Sequence, residues 1–453
     1  MLPTIAFALL LCTPPANSPD SIVAFVDVTV IPMDREHLLP HRTVVVRGGR
    51  IISIAPADEA TLPAGALRVS GRGRFLVPGL AEMHAHIPGG QVPDSLVERT
   101  LFLYIAGGIT TIRGMLGHPR HLELRARATQ GEIISPTIYT SGPSLNGNSV
   151  PDAPTALRMV AEQKRAGYDF LKIHPGIRRD VFDTLAAAAR RNGIRLAGHV
   201  PLEAGLQRAL DARYASIDHL DGYIEAMVPP EAPVKATESK FFGLNLGEHL
   251  DEARMAALVK ATREAGVWNV PTQTLMENLV PTVSTGVLAR RPEMRYVSAA
   301  TLAEWAQEKS SLLAETGSSA ESVRRTMATR RRLLKALHAG GAGLLLGSDA
   351  PQIYNVPGFS VHRELESLVA AGLTPFQALE TGTRNVAAFF GTLEASGTVE
   401  VGKRADLILL EANPLLDIRN TTRRAGVMVR GRWLSQADIE ARLAVLAKAA
   451  GNN

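Results

Sequence analysis

The chain has 453 residues, of which 45% are hydrophobic and 21% are charged. These fractions match ordinary globular proteins and exclude a long disordered, collagen-like or multi-span membrane chain. The formal net charge of +5 is small for this length, and no basic run is interleaved with aromatic residues, so nucleic acid is not an expected partner.

The first residues carry an apolar run from Ile5 to Cys12, followed by prolines and small residues. This pattern is typical of a signal peptide, and we assign residues 1–18 to one, although no Lys or Arg precedes the apolar run. The mature chain is then expected in the periplasm or outside the cell, with the cytoplasm as the alternative. The run is too short to span a bilayer, and Cys12 is the only cysteine, so the mature chain is expected to have no disulfide.

Short β-branched segments between turns fill residues 22–72, and a similar texture returns in residues 391–434. Each set alone has too few strands to be stable, so we predict one small β-sandwich domain built from both chain ends. Residues 435–453 open with the capping pattern Ser435-x-x-Asp438, which predicts a C-terminal helix followed by a tail.

Residues 73–390 alternate apolar strands with amphipathic helices, which predicts an α/β fold, a parallel (β/α)8 barrel of the TIM type. The strand candidates in chain order are GLAEMHAH, GITTIRGM, TIYTSG, DFLKIH, RLAGHV, SIDHL, VWNVPT and AGLLLGSD. The stretch from about 225 to 340 is longer than one connection between strands needs. We therefore expect a helical insertion there.

Residues with metal-ligand chemistry stand at the carboxyl ends of these strand candidates. His84 and His86 are two positions apart, so on a strand both side chains point to the same side. Four further strand candidates carry such a residue at or near their carboxyl ends: Lys172, His199, His219 and Asp349. Barrel enzymes build their active sites at this end of the strands. A lone His-x-His is a weak signal, but the joint positions favour one metal site over six separate structural roles.

The motifs VPGLAEMHAH, GYDFLKIH, IDHL and GSDA, taken together and in this order, resemble those of the amidohydrolase superfamily, specifically its binuclear imidazolonepropionase-like and prolidase-like members. The similarity extends over nearly the whole chain. It implies two divalent metal ions, with zinc as the default, and a Lys172 carboxylated by carbon dioxide whose carbamate bridges both ions. One ion would be held by His84, His86, Lys172 and Asp349, and the other by His199, His219 and the shared Lys172.

The reaction implied by this resemblance is hydrolysis of an amide by a hydroxide that bridges two metal ions. Asp349 would carry the proton from the nucleophile to the leaving amine. The expected small-molecule substrates are dipeptides of the Xaa-Pro type or N-acyl amino acids. Three residues are candidate substrate contacts: Arg113 for a carboxylate, Tyr223 as a donor to the carbonyl oxygen, and His174 as a pocket or supporting residue.

Alternatives to this interpretation stay open. The same hydroxide would suit a lactone or a phosphotriester. A mononuclear deaminase would share the barrel, but such enzymes lack the bridging lysine and usually place a glutamate where this chain has Leu202, three residues after His199. A non-catalytic homologue would have lost ligands, whereas all six are present. The number of bound metal ions separates these classes. The oligomeric state is also open, a homo-oligomer included.

Overall fold

The structure, a computed structural model, describes residues 22–451. The signal peptide assigned to residues 1–18 therefore lies outside the described residues. Between residues 22 and 451, no helix is both long enough and apolar enough to cross a membrane.

The first five strands form the greater part of a mixed sheet. They are β1 (Ile22–Val30), β2 (Leu39–Arg47), β3 (Arg50–Pro56), β4 (Leu67–Ser70) and β5 (Phe75–Pro78). Strand β2 pairs antiparallel with β1 and β3, whereas β4 and β5 both lie parallel to β1. The β-branched residues that predicted these strands, such as Val28, Val44 and Val46, form their buried core.

Seven parallel strands follow, and they coincide with the first seven barrel-strand candidates of the sequence. They are β6 (Leu80–Ala85), β7 (Ile109–Gly114), β8 (Thr137–Thr140), β9 (Phe170–Ile173), β10 (Arg195–Gly198), β11 (Ser216–Asp218) and β12 (Trp268–Val270). Strands β6–β8 form one sheet and β9–β12 form another. Two isolated parallel bridges connect these sheets, from Ser141 to Phe170 and from Leu145 to Ile173.

The eighth candidate, AGLLLGSD, is held by single bridges rather than by a continuous ladder. Leu344 bridges Asn269 of β12, and Ala350 bridges Ala85 of β6, both in the parallel sense. The backbone N–H of Met83 also donates to the carbonyl oxygen of Leu346 at 2.8 Å. These contacts link the eighth candidate to both β12 and β6.

Helices separate the parallel strands along the chain. The first six are α1 (Asp94–Ala106), α2 (Pro119–Gln130), α3 (Ala153–Ala166), α4 (Arg179–Asn192), α5 (Gly205–Asp211) and α6 (Tyr223–Ala226). The segment predicted as a helical insertion carries α7 (Met255–Ala265), α8 (Gln273–Leu279), α9 (Thr285–Ala289), α10 (Ala299–Thr316) and α11 (Ala320–Ala339), with β12 among them. Next come α12 (Ser360–Ala370), α13 (Pro375–Gly382) and α14 (Arg384–Phe390).

After α14 the chain re-enters the first sheet with β13 (Leu407–Leu410), β14 (Arg424–Val429) and β15 (Arg432–Ser435). The strand order is β15-β14-β13-β5-β1-β2-β3, with β4 beside β1. Both chain ends therefore share one sheet, as the sequence predicts, whereas the packing of two layers into a sandwich stays a prediction. The final helix is α15 (Gln436–Gly451), capped by hydrogen bonds between Ser435 and Asp438.

Candidate metal centre

The six side chains predicted as metal ligands lie together at one end of the parallel strands. His84 lies in β6 and Lys172 in β9. Three others directly follow β-strands, namely His86, His199 and His219, and Asp349 is the last residue of the eighth candidate. Five imidazole rings form a histidine row in the order His174, His199, His219, His84 and His86, with successive ring centroids 5.0, 4.5, 4.6 and 5.4 Å apart.

Asp349 lies against one end of the histidine row. Its Oδ1 is 2.6 Å from Nε2 of His86 and 3.4 Å from Nε2 of His84, and its Oδ2 is 3.7 Å from Nδ1 of His219. Nζ of Lys172 is 3.4 Å from the same Nε2 of His84. One ligand atom from each of His84, His86 and Asp349 lies within 4.8 Å of the others, so these three residues could hold a metal ion.

Burial keeps four histidines of the row in the neutral form that binds metals. Desolvation, reinforced by the charge of Lys172, lowers the pKa of His199 to about 3 and that of His174 to about 2. Desolvation also lowers the pKa of His84 and His219 well below the usual range. A neutral imidazole offers a lone pair, and a set of nitrogen donors with one carboxylate suits zinc and related ions. The donors therefore fit the metal that the sequence resemblance implies.

Lys172 approaches the histidine row because a glycine stands beside it. Gly198, directly before His199, has a φ of +112°, and an added Cβ would lie 2.7 Å from the carbonyl oxygen of Ile173 and 2.8 Å from Cδ of Lys172. Only glycine fits this position without displacing the lysine. Burial lowers the pKa of Lys172, although Asp218 and Asp349 oppose the shift.

Two carboxylates that contact the histidine row, the buried Asp218 and the partly buried Asp221, were not predicted from the sequence. Oδ2 of Asp218 is 2.9 Å from Nδ1 of His84, and Arg113 donates to the same carboxylate. Oδ2 of Asp221 is 2.7 Å from Nδ1 of His199, and burial raises the pKa of Asp221 to about 7. Carboxylates in such positions fix the ring orientation of metal-binding histidines. The signal for both was present in the pattern IDHLD, where acidic residues flank the sixth-strand histidine.

A third unpredicted carboxylate, Glu82, anchors the backbone beside Asp349. It accepts hydrogen bonds from the backbone N–H and the hydroxyl of Ser348, both at 2.6 Å, and burial raises its pKa to about 8. Asp349 itself has a φ of +64°, a left-handed conformation that residues other than glycine seldom adopt. Such a conformation persists where its surroundings hold it in place, and Ser348 provides one of these constraints.

The structure corrects the role predicted for Arg113. The side chain is fully buried, and its guanidinium donates to Met83 O at 2.7 Å, to Ser216 Oγ at 2.8 Å and to Asp218 Oδ1 at 3.1 Å. These protein acceptors occupy each of its nitrogens, so Arg113 braces the strands and does not reach a substrate carboxylate. An arginine at the end of a strand can equally brace the fold, and Arg113 has this role.

The structure also corrects the role predicted for Tyr223. Its side chain is fully buried, and the hydroxyl lies 2.8 Å from Thr262 Oγ1 and donates to Asn269 Oδ1 at 3.0 Å. The hydroxyl therefore joins α6 to α7 and β12 and is not available to a substrate carbonyl. Closeness to His219 along the chain suggested the site role, but α6 turns the side chain towards the packed helices.

His174 lies at the open end of the histidine row, as a pocket residue should. Its Nδ1 is 2.5 Å from Ser144 Oγ, and its ring stacks on that of His199. Both histidines line a cavity of about 770 Å³, and Phe241 and Phe242 line it as well. Cavities of this size bury small-molecule ligands. The two phenylalanines were not singled out in the sequence, because nothing in their local pattern distinguishes them from core residues.

Comparison with known proteins adds to this geometry. An imidazolonepropionase of Symbiobacterium thermophilum is 25% identical over 407 residues, which cover 82% of this chain and 84% of that protein. Adenine deaminase 3 of Rhizobium meliloti is 23% identical over 416 residues, 89% of this chain and 56% of the deaminase. The solved structure of a Xaa-Pro dipeptidase with methionine bound in its active site has a TM-score of 0.67 and 18% identity, over 92% of this chain and 100% of that one. This last similarity shows a common fold.

The family model that matches is that of the amidohydrolase family, over residues 75–434. This match spans most of the chain and includes all six residues of the candidate metal centre, and it confirms the resemblance found in the sequence motifs. The chain therefore belongs to the amidohydrolase family, whose members are hydrolases of carbon–nitrogen bonds and are typically metal-dependent.

Proposed function

We propose that this chain is a binuclear metal-dependent hydrolase that cleaves an amide bond of a small molecule, on a (β/α)8 barrel spanning residues 73–390. The observation that carries the proposal is the contact of Asp349 with His86 and His84 beside Lys172, at the carboxyl ends of parallel strands. The contacts of the eighth candidate with both β12 and β6 support a closed barrel.

The proposed ligands divide between two ions. His84, His86 and Asp349 would hold one ion and His199 and His219 the other, with a carboxylated Lys172 shared by both. An ammonium among these histidines would repel a cation, whereas a carbamate is an anionic oxygen donor. Burial of Lys172 favours the uncharged amine, which can attack the carbon of carbon dioxide and lose a proton to form the carbamate, and this supports the modification. Zinc is the expected ion because it suits these donors.

The chain's own residues would divide the work of amide hydrolysis. When bound, the two ions would supply an activated water and polarise the scissile carbonyl. Asp349 would accept a proton from that water on a carboxylate oxygen and deliver it to the leaving nitrogen. Asp218 and Asp221 would hold the rings of His84 and His199 in orientation. The expected substrates are Xaa-Pro dipeptides or N-acyl amino acids.

A deaminase is the second candidate, because several of the relatives bear that name. The residues at the site argue against it. Leu202, three positions after His199, has no proton to transfer and is exposed at the cavity rim. A site with one metal ion would also leave Lys172 without a bridging role, because a bridging ligand needs two ions. Hydrolysis of a lactone or a phosphotriester would use the same metal centre, and turnover of such compounds would distinguish it from amide hydrolysis.

The test combines metal analysis with substrate turnover. Chain purified with zinc and bicarbonate should contain about two ions and release an amine from some Xaa-Pro dipeptides or N-acyl amino acids. About one ion with release of ammonia would favour the deaminase, and turnover of lactones alone would reassign the substrate. Absence of bound metal would overturn the proposal.

Lys172→Ala tests the bridging ligand within the same experiment. The variant should fold, bind fewer than two ions and lose at least about 100-fold in kcat, because the shared donor is gone. Lys260→Ala is the matched control, since Lys260 is an exposed lysine paired with Glu264 on α7. Two ions and normal turnover in Lys172→Ala would rule out the carbamate.

A further inference from the structure

The cavity beside the histidine row has an aromatic wall placed directly over the candidate metal centre. The ring centroid of Phe242 is 5.3 Å from that of His219 and 6.1 Å from that of His199. Phe241 meets Phe242 edge to face at 4.7 Å. A substrate that occupies the cavity and reaches these histidines would therefore contact Phe242.

The backbone holds the two phenylalanine rings in place. Phe241, Phe242 and Gly243 have φ angles of +35°, +55° and +75°, so three successive residues are left-handed. An added Cβ at Gly243 would lie 2.4 Å from Ile224, so this turn packs tightly on α6. The hydroxyl of Ser239 donates to Glu225 at 2.5 Å and ties the preceding residues to α6 as well. Strained backbone of this kind is maintained at positions where ligands are contacted.

The rest of the cavity lining is apolar, uncharged polar or acidic. Ile177, Val200 and Leu202 continue the apolar wall, and Glu203 and Glu225 lie at its edge. No lysine or arginine is among the described residues that line the cavity. Arg330, buried behind His219, donates to the carbonyl oxygens of His219 and Pro271 and is not directed into the cavity. Apart from the proposed metal ions, an anionic group would find no cationic partner among the described side chains that line this cavity.

The position of Asp349 shows which part of the substrate the cavity would take. Asp349 lies closest to His86, at 2.6 Å, and extends to the middle of the histidine row, where its Oδ2 is 3.7 Å from Nδ1 of His219, whereas the cavity opens at the other end, beside His174 and His199. In the proposed reaction Asp349 delivers the proton to the leaving nitrogen, so that nitrogen belongs at the His86 end. The acyl group then extends towards the cavity.

We infer that the substrate carries a bulky, uncharged apolar acyl group, a medium-length alkyl chain or an aryl ring, which the cavity binds against Phe242. This inference rests on the proposed function, because it assigns the acyl side from the role of Asp349. It narrows the substrate class from small amides in general to N-acyl compounds with an apolar acyl group, and it names Phe242 as the residue that determines specificity.

The first experiment varies the acyl group while the leaving amino acid stays constant, using acetyl, hexanoyl, decanoyl, 2-naphthoyl and succinyl derivatives. Each buried methylene contributes up to about fourfold. The value of kcat/KM should therefore rise about 20-fold to 200-fold from acetyl to hexanoyl and should be lowest for the anionic succinyl compound. A flat series, or a preference for acetyl or succinyl, would overturn the inference while leaving amide hydrolysis established.

The second experiment assigns the effect to Phe242. In Phe242→Ala, the hexanoyl-to-acetyl ratio of kcat/KM should fall about 10-fold, because the apolar wall is lost. Phe390→Ala is the control, since Phe390 is also a half-buried phenylalanine but stacks on Tyr139, away from the cavity. An unchanged ratio in Phe242→Ala would remove Phe242 from the acyl site.

A binding measurement separates failure of this inference from failure of the proposed function. Calorimetry with the decanoyl compound and metal-free protein should show binding to the wild type and about 10-fold weaker binding to Phe242→Ala. Binding without turnover of any amide would contradict the proposed function but retain the apolar cavity. Turnover of amides without preferential binding of the decanoyl compound would contradict the inference alone.

Discussion

At the scale of single residues, the buried position of Tyr223 leads to a prediction about stability rather than catalysis. Tyr223→Phe removes a buried hydroxyl that joins Thr262 and Asn269. We expect the free energy of unfolding to fall by about 1–2 kcal/mol, because Asn269 loses a partner in the interior. Both kcat and KM should stay within about twofold of the wild type, since this hydroxyl does not face the cavity. Urea unfolding and steady-state kinetics check the two parts.

Tyr296→Phe is the matched control for this prediction. Its hydroxyl is also buried, but it has no hydrogen-bond partner within residues 22–451. Its removal should therefore leave the free energy of unfolding unchanged or raise it slightly. A large fall in kcat for Tyr223→Phe with unaltered stability would restore the catalytic role that the sequence suggested.

At the scale of structural elements, the loop after the eighth candidate ties Asp349 to the helical insertion. Asn355 Nδ2 donates to the carbonyl oxygen of Ser348 at 2.5 Å, and Asn278 Nδ2 in α8 donates to Asn355 Oδ1 at 2.8 Å. Arg291 in turn donates to Asn278 Oδ1 at 2.8 Å. These buried bonds span the loop in which Asp349 adopts its left-handed conformation. The insertion therefore contributes to the position of the proposed proton carrier.

Asn355→Ala tests this positioning role. We expect kcat to fall about 10-fold to 100-fold with KM changed by less than about threefold, because a small displacement of Asp349 affects the reaction more than binding. Asn355→Asp, which keeps the acceptor for Asn278 but loses the donor to Ser348, should not restore activity. Asn192→Ala at the end of α4 is the control, since among residues 22–451 its side-chain amide donates only to Ala188 O. A proportional rise in KM, or no change in kcat, would contradict the role.

At the scale of the whole molecule, the sequence predicted the elements whose pattern is local. Seven strands of the parallel set and the grouping of the six candidate ligands follow from apolar runs and from the residues that end them. The side-chain roles of Arg113 and Tyr223 were wrong, because their orientation depends on Asp218 and Asn269, which are distant in sequence. The aromatic wall was missed for the same reason, since the placement of Phe242 depends on a turn packed against α6.

The pH dependence of stability is predicted from His362, whose contacts join distant parts of the chain. His362 in α12 is buried, with Nδ1 2.9 Å from Thr421 Oγ1 and Nε2 2.9 Å from the carbonyl oxygen of Gly107. It thus connects the end of α1 with the residues before β14. Desolvation, reinforced by Arg424 and Arg363, lowers the pKa of His362 from 6.5 to about 3.

The direction of the pH effect follows from this lowered pKa. The unfolded chain binds a proton at His362 below about pH 6.5, whereas the folded chain binds it only near pH 3. The free energy of unfolding is therefore unaffected by this group above pH 6.5 and decreases as the pH falls from 6.5 towards 3. At pH 5 the loss from this group is about 2 kcal/mol. Urea unfolding at pH 7.5 and pH 5 should show a smaller loss for His362→Gln than for the wild type. His249→Gln should keep the wild-type difference, and equal losses in all three proteins would exclude His362 as the source.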